Sequence, residues 1–167
     1  MPKNKPAWIP ALVLLADYGG DWDKYLNALY RFFRKDFIES KPLFRGTSVG
    51  ITKHPCSQGK ESTFWHIISE GKIEEDRTPD FERCKRIRWP RAIIENHETP
   101  FIQVWETMRG REKRILLRFI FEEDDYLVVL AEHKGVILLI TAYLVTWPSQ
   151  KRRLQQEFEK YKADTAL

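Results

Sequence analysis

Between residues 21 and 38 the apolar side chains Trp22, Tyr25, Leu26, Leu29, Tyr30, Phe33 and Phe37 recur every three or four positions. At 3.6 residues per turn they fall along one stripe, which predicts an amphipathic helix after the Gly19-Gly20 break. Residues 40–59 carry Pro42, Gly46, Gly50, Pro55 and Gly59 and read as a loop-rich connection with a short strand over 47–52. A short helix is expected over 61–69. After the acidic run Glu74-Glu75-Asp76, Pro79 opens a further helix over 80–89, which Pro90 interrupts or ends. The pattern then changes to strand-like runs. Residues 101–107, 114–121, 127–132 and 136–145 predict four strands in an antiparallel meander, separated by Arg109-Gly110, by the acidic stretch 122–125 and by His133-Lys134-Gly135. The last strand is apolar on both faces and should be central or well covered. A C-terminal helix over 149–161 follows Pro148, with Leu154, Phe158 and Tyr161 as its packing stripe. Helices first and strands second define an α+β chain with segregated layers.

The 167 residues fit one domain, read as an N-terminal segment 1–20, a helical part 21–95, a sheet 100–146 and a C-terminal helix 148–162. Charged residues at 31%, hydrophobic ones at 43% and aromatic ones at 13% describe a folded globular chain and exclude a disordered one. The apolar run over 7–16 is too short to span a bilayer and carries Pro10 without a small-x-small cleavage site, so it is read as part of the folded domain. Two cysteines, Cys56 and Cys84, form no C-x-x-C pair and have no metal-ligand spacing to the histidines. No metal or cofactor is therefore expected, no membrane contact, and a reduced, cytoplasmic setting.

Net charge is +4, and its distribution matters more than its sum. Arg83, Lys85, Arg86, Arg88 and Arg91 form one basic run and Arg109, Arg111, Lys113, Arg114 and Arg118 another, while the acids collect over 74–76 and 122–125. Such segregation would build one basic face, as in nucleic-acid binders. Arg83 and Arg86 at i, i+3 would cup a phosphate, and Arg88 and Arg91 flank Trp89, either a base-stacking aromatic or a core residue. A solvated helix face accounts for the same charges. In the strand over 114–121, Arg114, Leu116, Arg118 and Ile120 share one face, opposite Ile115, Leu117, Phe119 and Phe121. Arg118 then meets an anion on an open face, or pairs with a Glu across an edge strand.

On the helix over 61–69, Phe64, Ile67 and Ile68 share a face and Ser62 and His66 lie on the other side. A histidine presented in this way is either a proton-transfer group or an ordinary surface histidine. Lys53-His54-Pro55 puts a second imidazole beside a cation in a loop, and period two points Thr141 and Tyr143 the same way on the last strand, opposite Ile140, Ala142 and Leu144.

The ordered series Asp36-Phe37-Ile38, Lys53-His54-Pro55, Gly59-Lys60-Glu61 leading to Phe64-Trp65-His66, Pro79-Asp80 with Arg83 and Ile87-Arg88-Trp89, Trp105 with Arg109-Gly110, residues 125–130 and Thr141-Ala142-Tyr143 resembles the phage-associated barnase/EndoU/colicin/RelE-like nucleases, PBECR. It covers most of the chain, from Trp22 to Tyr161. The resemblance implies a small α+β barnase/RelE-like ribonuclease fold, with N-terminal helices packed on a four-stranded antiparallel sheet. It implies metal-independent RNA cleavage by 2′-hydroxyl attack, toxin-like and of phage or mobile-element origin, with an antitoxin or immunity protein as a partner besides RNA. On the matching positions it implies His66 as acid or base, Thr141 and Tyr143 as active-face groups, and Arg83 and Arg88 as phosphate ligands. Lys53 and His54 are candidates for the second proton-transfer role, with Arg86, Arg91 and Arg118 as further RNA contacts. The alternative expectation is a catalytically inactive RNA-binding or protein-interaction module on the same scaffold. A phage structural accessory protein is a third class.

Overall fold

The computed structural model describes residues 4–73 and 76–166; Glu74 and Glu75 of the acidic run lie outside them. The long amphipathic stripe folds as α1 (Trp22–Phe33), whose N-terminus is capped by the Asp21 carboxylate accepting the Lys24 N–H at 3.2 Å. The last turn of the expected helix widens into a π-helical turn over Arg34–Ile38, which keeps Phe37 in the core. β1 (Leu43–Phe44) and β2 (Thr47–Gly50) follow, then α2 (Ser62–Ile68), the short pair β3 (Ser69–Glu70) and β4 (Thr78–Pro79), α3 (Phe81–Lys85) and α4 (Trp89–Glu95). Pro90 does not close the expected helix over 80–89. It lies in the first turn of α4, where its missing N–H costs nothing, and the chain breaks one turn earlier, at Arg86.

The four expected strands are present as β5 (Ile102–Arg109), β6 (Glu112–Phe121), β7 (Asp124–His133) and β8 (Val136–Leu144), followed by α5 (Pro148–Thr165). They form the expected meander, and Lys134 and Gly135, both at positive φ, make the two-residue turn between β7 and β8. The sheet is wider than the sequence pattern indicated. β1 and β2 extend it to six strands in the order β1-β2-β8-β7-β6-β5, and β2 runs parallel to β8, so it is mixed and not purely antiparallel. β8 is thereby interior, in keeping with its apolar faces.

Two cores sandwich this sheet. On one face α1, α2 and α4 bury Phe33, Phe64, Ile67, Ile93 and Trp89 against Leu117, Phe119, Tyr126 and Val128. On the other, α5 lays Leu154, Phe158 and Tyr161 over Trp105, Leu116, Leu127 and Val129. The apolar segment near the N-terminus belongs to the first core: Ile9 and Val13 are buried, Trp8 packs edge-on against Phe119 and Val13 N–H donates to the Lys85 carbonyl at 2.9 Å. No helix among the described residues is long and apolar enough to cross a membrane.

Candidate functional site

β2 pairs with β8 only at Val49↔Ile137 and Gly50↔Leu138, so the outer edge of β8 beyond Leu138 is met by helices instead of a strand. A β-bulge at Val129/Leu130 skips Ile140 in the pairing of β7 with β8. Strict alternation would put Ile137, Leu139, Thr141 and Tyr143 on one face; the bulge puts Ile137, Leu139 and Ala142 in the first core and turns Tyr143 toward the α5 side. Thr141 and Tyr143 thus stand together at the open edge, where α2 ends and α3 begins.

Asp80 starts α3, accepting the N–H groups of Glu82 at 2.9 Å and Arg83 at 3.3 Å on its carboxylate. This fixes the helix so that Arg83 reaches back to β8. Its Nη1 donates to the carbonyl oxygens of His66 at 2.8 Å and Ser69 at 2.9 Å and lies 3.5 Å from Thr141 Oγ1. Thr141 Oγ1 donates to the same His66 carbonyl at 3.3 Å. The guanidinium lies over the Tyr143 ring, 5.2 Å from its centroid, in cation–π geometry. Asp80 Oδ2 stands 3.4 Å from Arg83 Nε, and Gln150 Nε2 donates to the Tyr143 hydroxyl at 3.3 Å. The structure therefore brings together Arg83, Thr141, Tyr143 and the backbone of His66. Anchoring through Nη1 holds the fork in place, while Nη2 makes no hydrogen bond to the described residues.

His66 is half-buried, and its helix neighbour Ser62 is not on an open side. The loop over 51–60 folds back on the start of α2, where Ser62 and Thr63 donate their N–H groups to the carbonyls of Lys53 and Thr52 at 3.0 and 3.1 Å. Lys53 and His54 sit exposed in that loop, with His54 Nδ1 3.9 Å from the Cys56 thiol.

The other expected arginines do not join the cluster. Arg86 is buried and engaged: Nη1 donates to Glu82 Oε2 at 2.8 Å, Nη2 to Asp124 Oδ1 at 3.5 Å, and the guanidinium lies 5.0 Å from the Trp89 ring. Arg88 is exposed over Phe32, and Arg91 ties α4 to the π-helical turn after α1 through the Asp36 carbonyl while pairing with Glu95 within α4. Trp89 is fully buried, with Nε1 donating to the Pro10 carbonyl, so it is a core residue and not a stacking platform. Arg118 corrects the expectation of an open face. It is 4% exposed beneath α5, on an interior strand, in a bidentate pair with Asp125 at 2.8 and 2.6 Å and a further bond to Gln155. Within the two basic runs Arg86, Arg91, Arg114 and Arg118 are thus taken up by partners inside the fold, while Arg88, Arg109 and Arg111 are exposed.

Ser69, Asp80 and Gln150 are contributors that residue-by-residue reading missed. Only Asp80 carried a sequence signal, an Asp one position ahead of a helix. Cys56 is exposed and Cys84 buried, both free; burial pushes the Cys84 thiol up to about 12. Among the described residues no three or more His, Cys, Asp or Glu side chains are arranged to hold a metal ion. Comparison of the chain with known protein families, with curated proteins and with solved structures finds no match.

Proposed function

We propose that the protein is an endoribonuclease that cleaves RNA without a metal, with its centre at the junction of α2, α3 and β8. The observation that carries this reading is the Arg83 guanidinium, anchored by Nη1 on two carbonyls and set over Tyr143 and beside Thr141. A pre-oriented guanidinium with a donor to spare suits the charge that develops on a phosphate under attack. In the proposed reaction the ribose 2′-hydroxyl adds to the adjacent phosphorus and loses its proton to a base. The P–O5′ bond breaks, and the departing oxygen takes a proton from an acid. Cyclic 2′,3′-phosphate and a free 5′-hydroxyl result. His66 takes one proton-transfer role and His54 or Lys53 is the candidate for the other. Thr141 and Tyr143 orient the phosphate. A toxin-like role in the cytoplasm, restrained by an antitoxin or immunity protein, is the setting this chemistry fits.

Purified protein should cut RNA in EDTA. His66→Ala should lower the rate by about a hundredfold or more, the usual worth of a positioned acid or base. Arg83→Lys, which keeps the charge and loses the fork, should lower kcat with little change in KM. Intact tRNA, mRNA and ribosome-bound RNA after prolonged incubation would refute the reading. The engagement of Arg83 Nη1 with three oxygens favours a second reading, an RNA-binding or protein-interaction module without catalysis. In that case RNA affinity is measurable, falls with salt, and is unchanged in His66→Ala.

A further inference from the structure

Ser69 also lines a groove of about 520 Å³, together with Trp22, Trp65, Ser57, Gln58 and Arg77 among others. Its size falls in the range of sites for a single small ligand. Both indoles are half-buried and held by their surroundings. Trp65 donates Nε1–H to the Ser57 carbonyl at 3.0 Å and packs edge-on against Phe64; Trp22 packs edge-on against Tyr25 and Phe81. A rigid aromatic wall loses little entropy when a flat ring stacks on it. The described lining residues include no acid and one cation, Arg77, whose Nε donates to Ser69 Oγ at 3.0 Å. Ser69 connects the groove to the candidate centre, because its carbonyl accepts from Arg83 Nη1 at 2.9 Å.

We infer that this groove is a nucleobase subsite: it receives an unpaired base of single-stranded RNA on the Trp22 and Trp65 rings, with the adjoining phosphate directed toward Arg83. Stacking serves any base, and Ser57 and Gln58 at the rim supply the polar groups that would favour one edge pattern over another. The inference rests on the RNA reading given above, and it assigns the place where the strand is gripped as distinct from where it is cut.

Cys56 lines the same groove and is exposed, whereas Cys84 is buried, so alkylation of Cys56 reports occupancy without any need for catalysis. The probe is a 2′-O-methyl hexaribonucleotide of mixed sequence, which has no free 2′-hydroxyl and stays intact. It should quench tryptophan fluorescence and slow iodoacetamide labelling of Cys56. Trp22→Ala and Trp65→Ala should each weaken binding by roughly five- to a hundredfold, the usual worth of one stacked base. Trp65→Phe, which keeps a stacking ring and the packing on Phe64, should stay much nearer the wild-type affinity. Unchanged Cys56 labelling in saturating hexamer, or wild-type affinity in both alanine variants, overturns the subsite. Adenosine 5′-monophosphate binding as tightly as the hexamer also overturns it, since that marks a free-nucleotide site. RNA cleavage in EDTA without Cys56 protection removes the subsite and leaves the ribonuclease standing; protection without cleavage does the reverse.

Discussion

Single side chains in this protein are read most clearly through what they are bonded to. Arg118 looks, on its strand alone, like a cation awaiting an anion. Its bidentate pair with Asp125 instead places both charges inside, under α5. Asp125→Ala should therefore cost about 3–5 kcal/mol in urea unfolding, because it strands a buried guanidinium, while the double change Arg118→Leu with Asp125→Leu should cost far less. Near-equal losses in the two variants would contradict a desolvated pair. Asp36 shows the opposite case. Burial raises its carboxyl to about 6, against the lowering pull of Arg91 and Arg88. In the unfolded chain the same group titrates near 4, so between about pH 4 and 6 the folded state holds the extra proton. Stability must then fall as pH rises through that window, by up to about 3 kcal/mol at 1.36 kcal/mol per pH unit. Asp36→Asn should be more stable than wild type at pH 7 and lose that advantage below pH 4, as unfolding midpoints at the two pH values would test. The Cys84 thiol, pushed up to about 12 and buried, should remain unlabelled in the native state while Cys56 reacts, with both labelled in denaturant.

At the scale of elements, the long-period and short-period patterns were legible because each follows from one face being buried. The stripe of α1, the meander β5 to β8 and the Leu154, Phe158, Tyr161 row of α5 all declare themselves this way. The features that position the candidate site did not. β2 is four residues long and joins the sheet by a parallel pairing with β8, a long-range choice that no local pattern encodes. The bulge at Val129/Leu130 shifts the face on which Ile137 and Leu139 lie relative to Thr141 and Tyr143, and alternation counting carries no sign of it. Arg83 was legible as a phosphate candidate by resemblance; that its Nη1 would hold the end of α2 through two carbonyls depends on Ser69, which is silent in sequence. α5 is held by few apolar anchors, with Leu154 alone fully enclosed. Leu154→Ala should destabilise the protein by about 2–5 kcal/mol, the cost of a buried cavity. In hydrogen exchange the loss should appear first along α5 and β5, with α1 and β7 still protected; uniform loss would show that α5 unfolds only with the whole chain.

For the whole molecule, the charge pattern makes a claim about how RNA would be held. A single basic face would give a steep salt dependence, since each phosphate neutralised on a single strand contributes roughly −0.7 to the slope of log K against log salt. In the folded protein several members of the two basic runs are already paired with acids. Arg86, Arg91, Arg114 and Arg118 are tied to Glu82, Glu95, Glu112 and Asp125, and Arg86 also reaches Asp124. Near the candidate centre stand the anchored fork at Arg83 and Lys53 in the exposed loop, while Arg77 on the groove already donates to Ser69 Oγ and to the Gly71 carbonyl. Two to four phosphate contacts then predict a slope of roughly −1.5 to −3, with most of the affinity in salt-insensitive stacking on Trp22 and Trp65. Titration of the uncleavable hexamer between low and moderate salt measures this directly. A slope much steeper than about −5 would mean that RNA engages many exposed cations away from the candidate centre, and that the strand runs elsewhere than along the groove and β8.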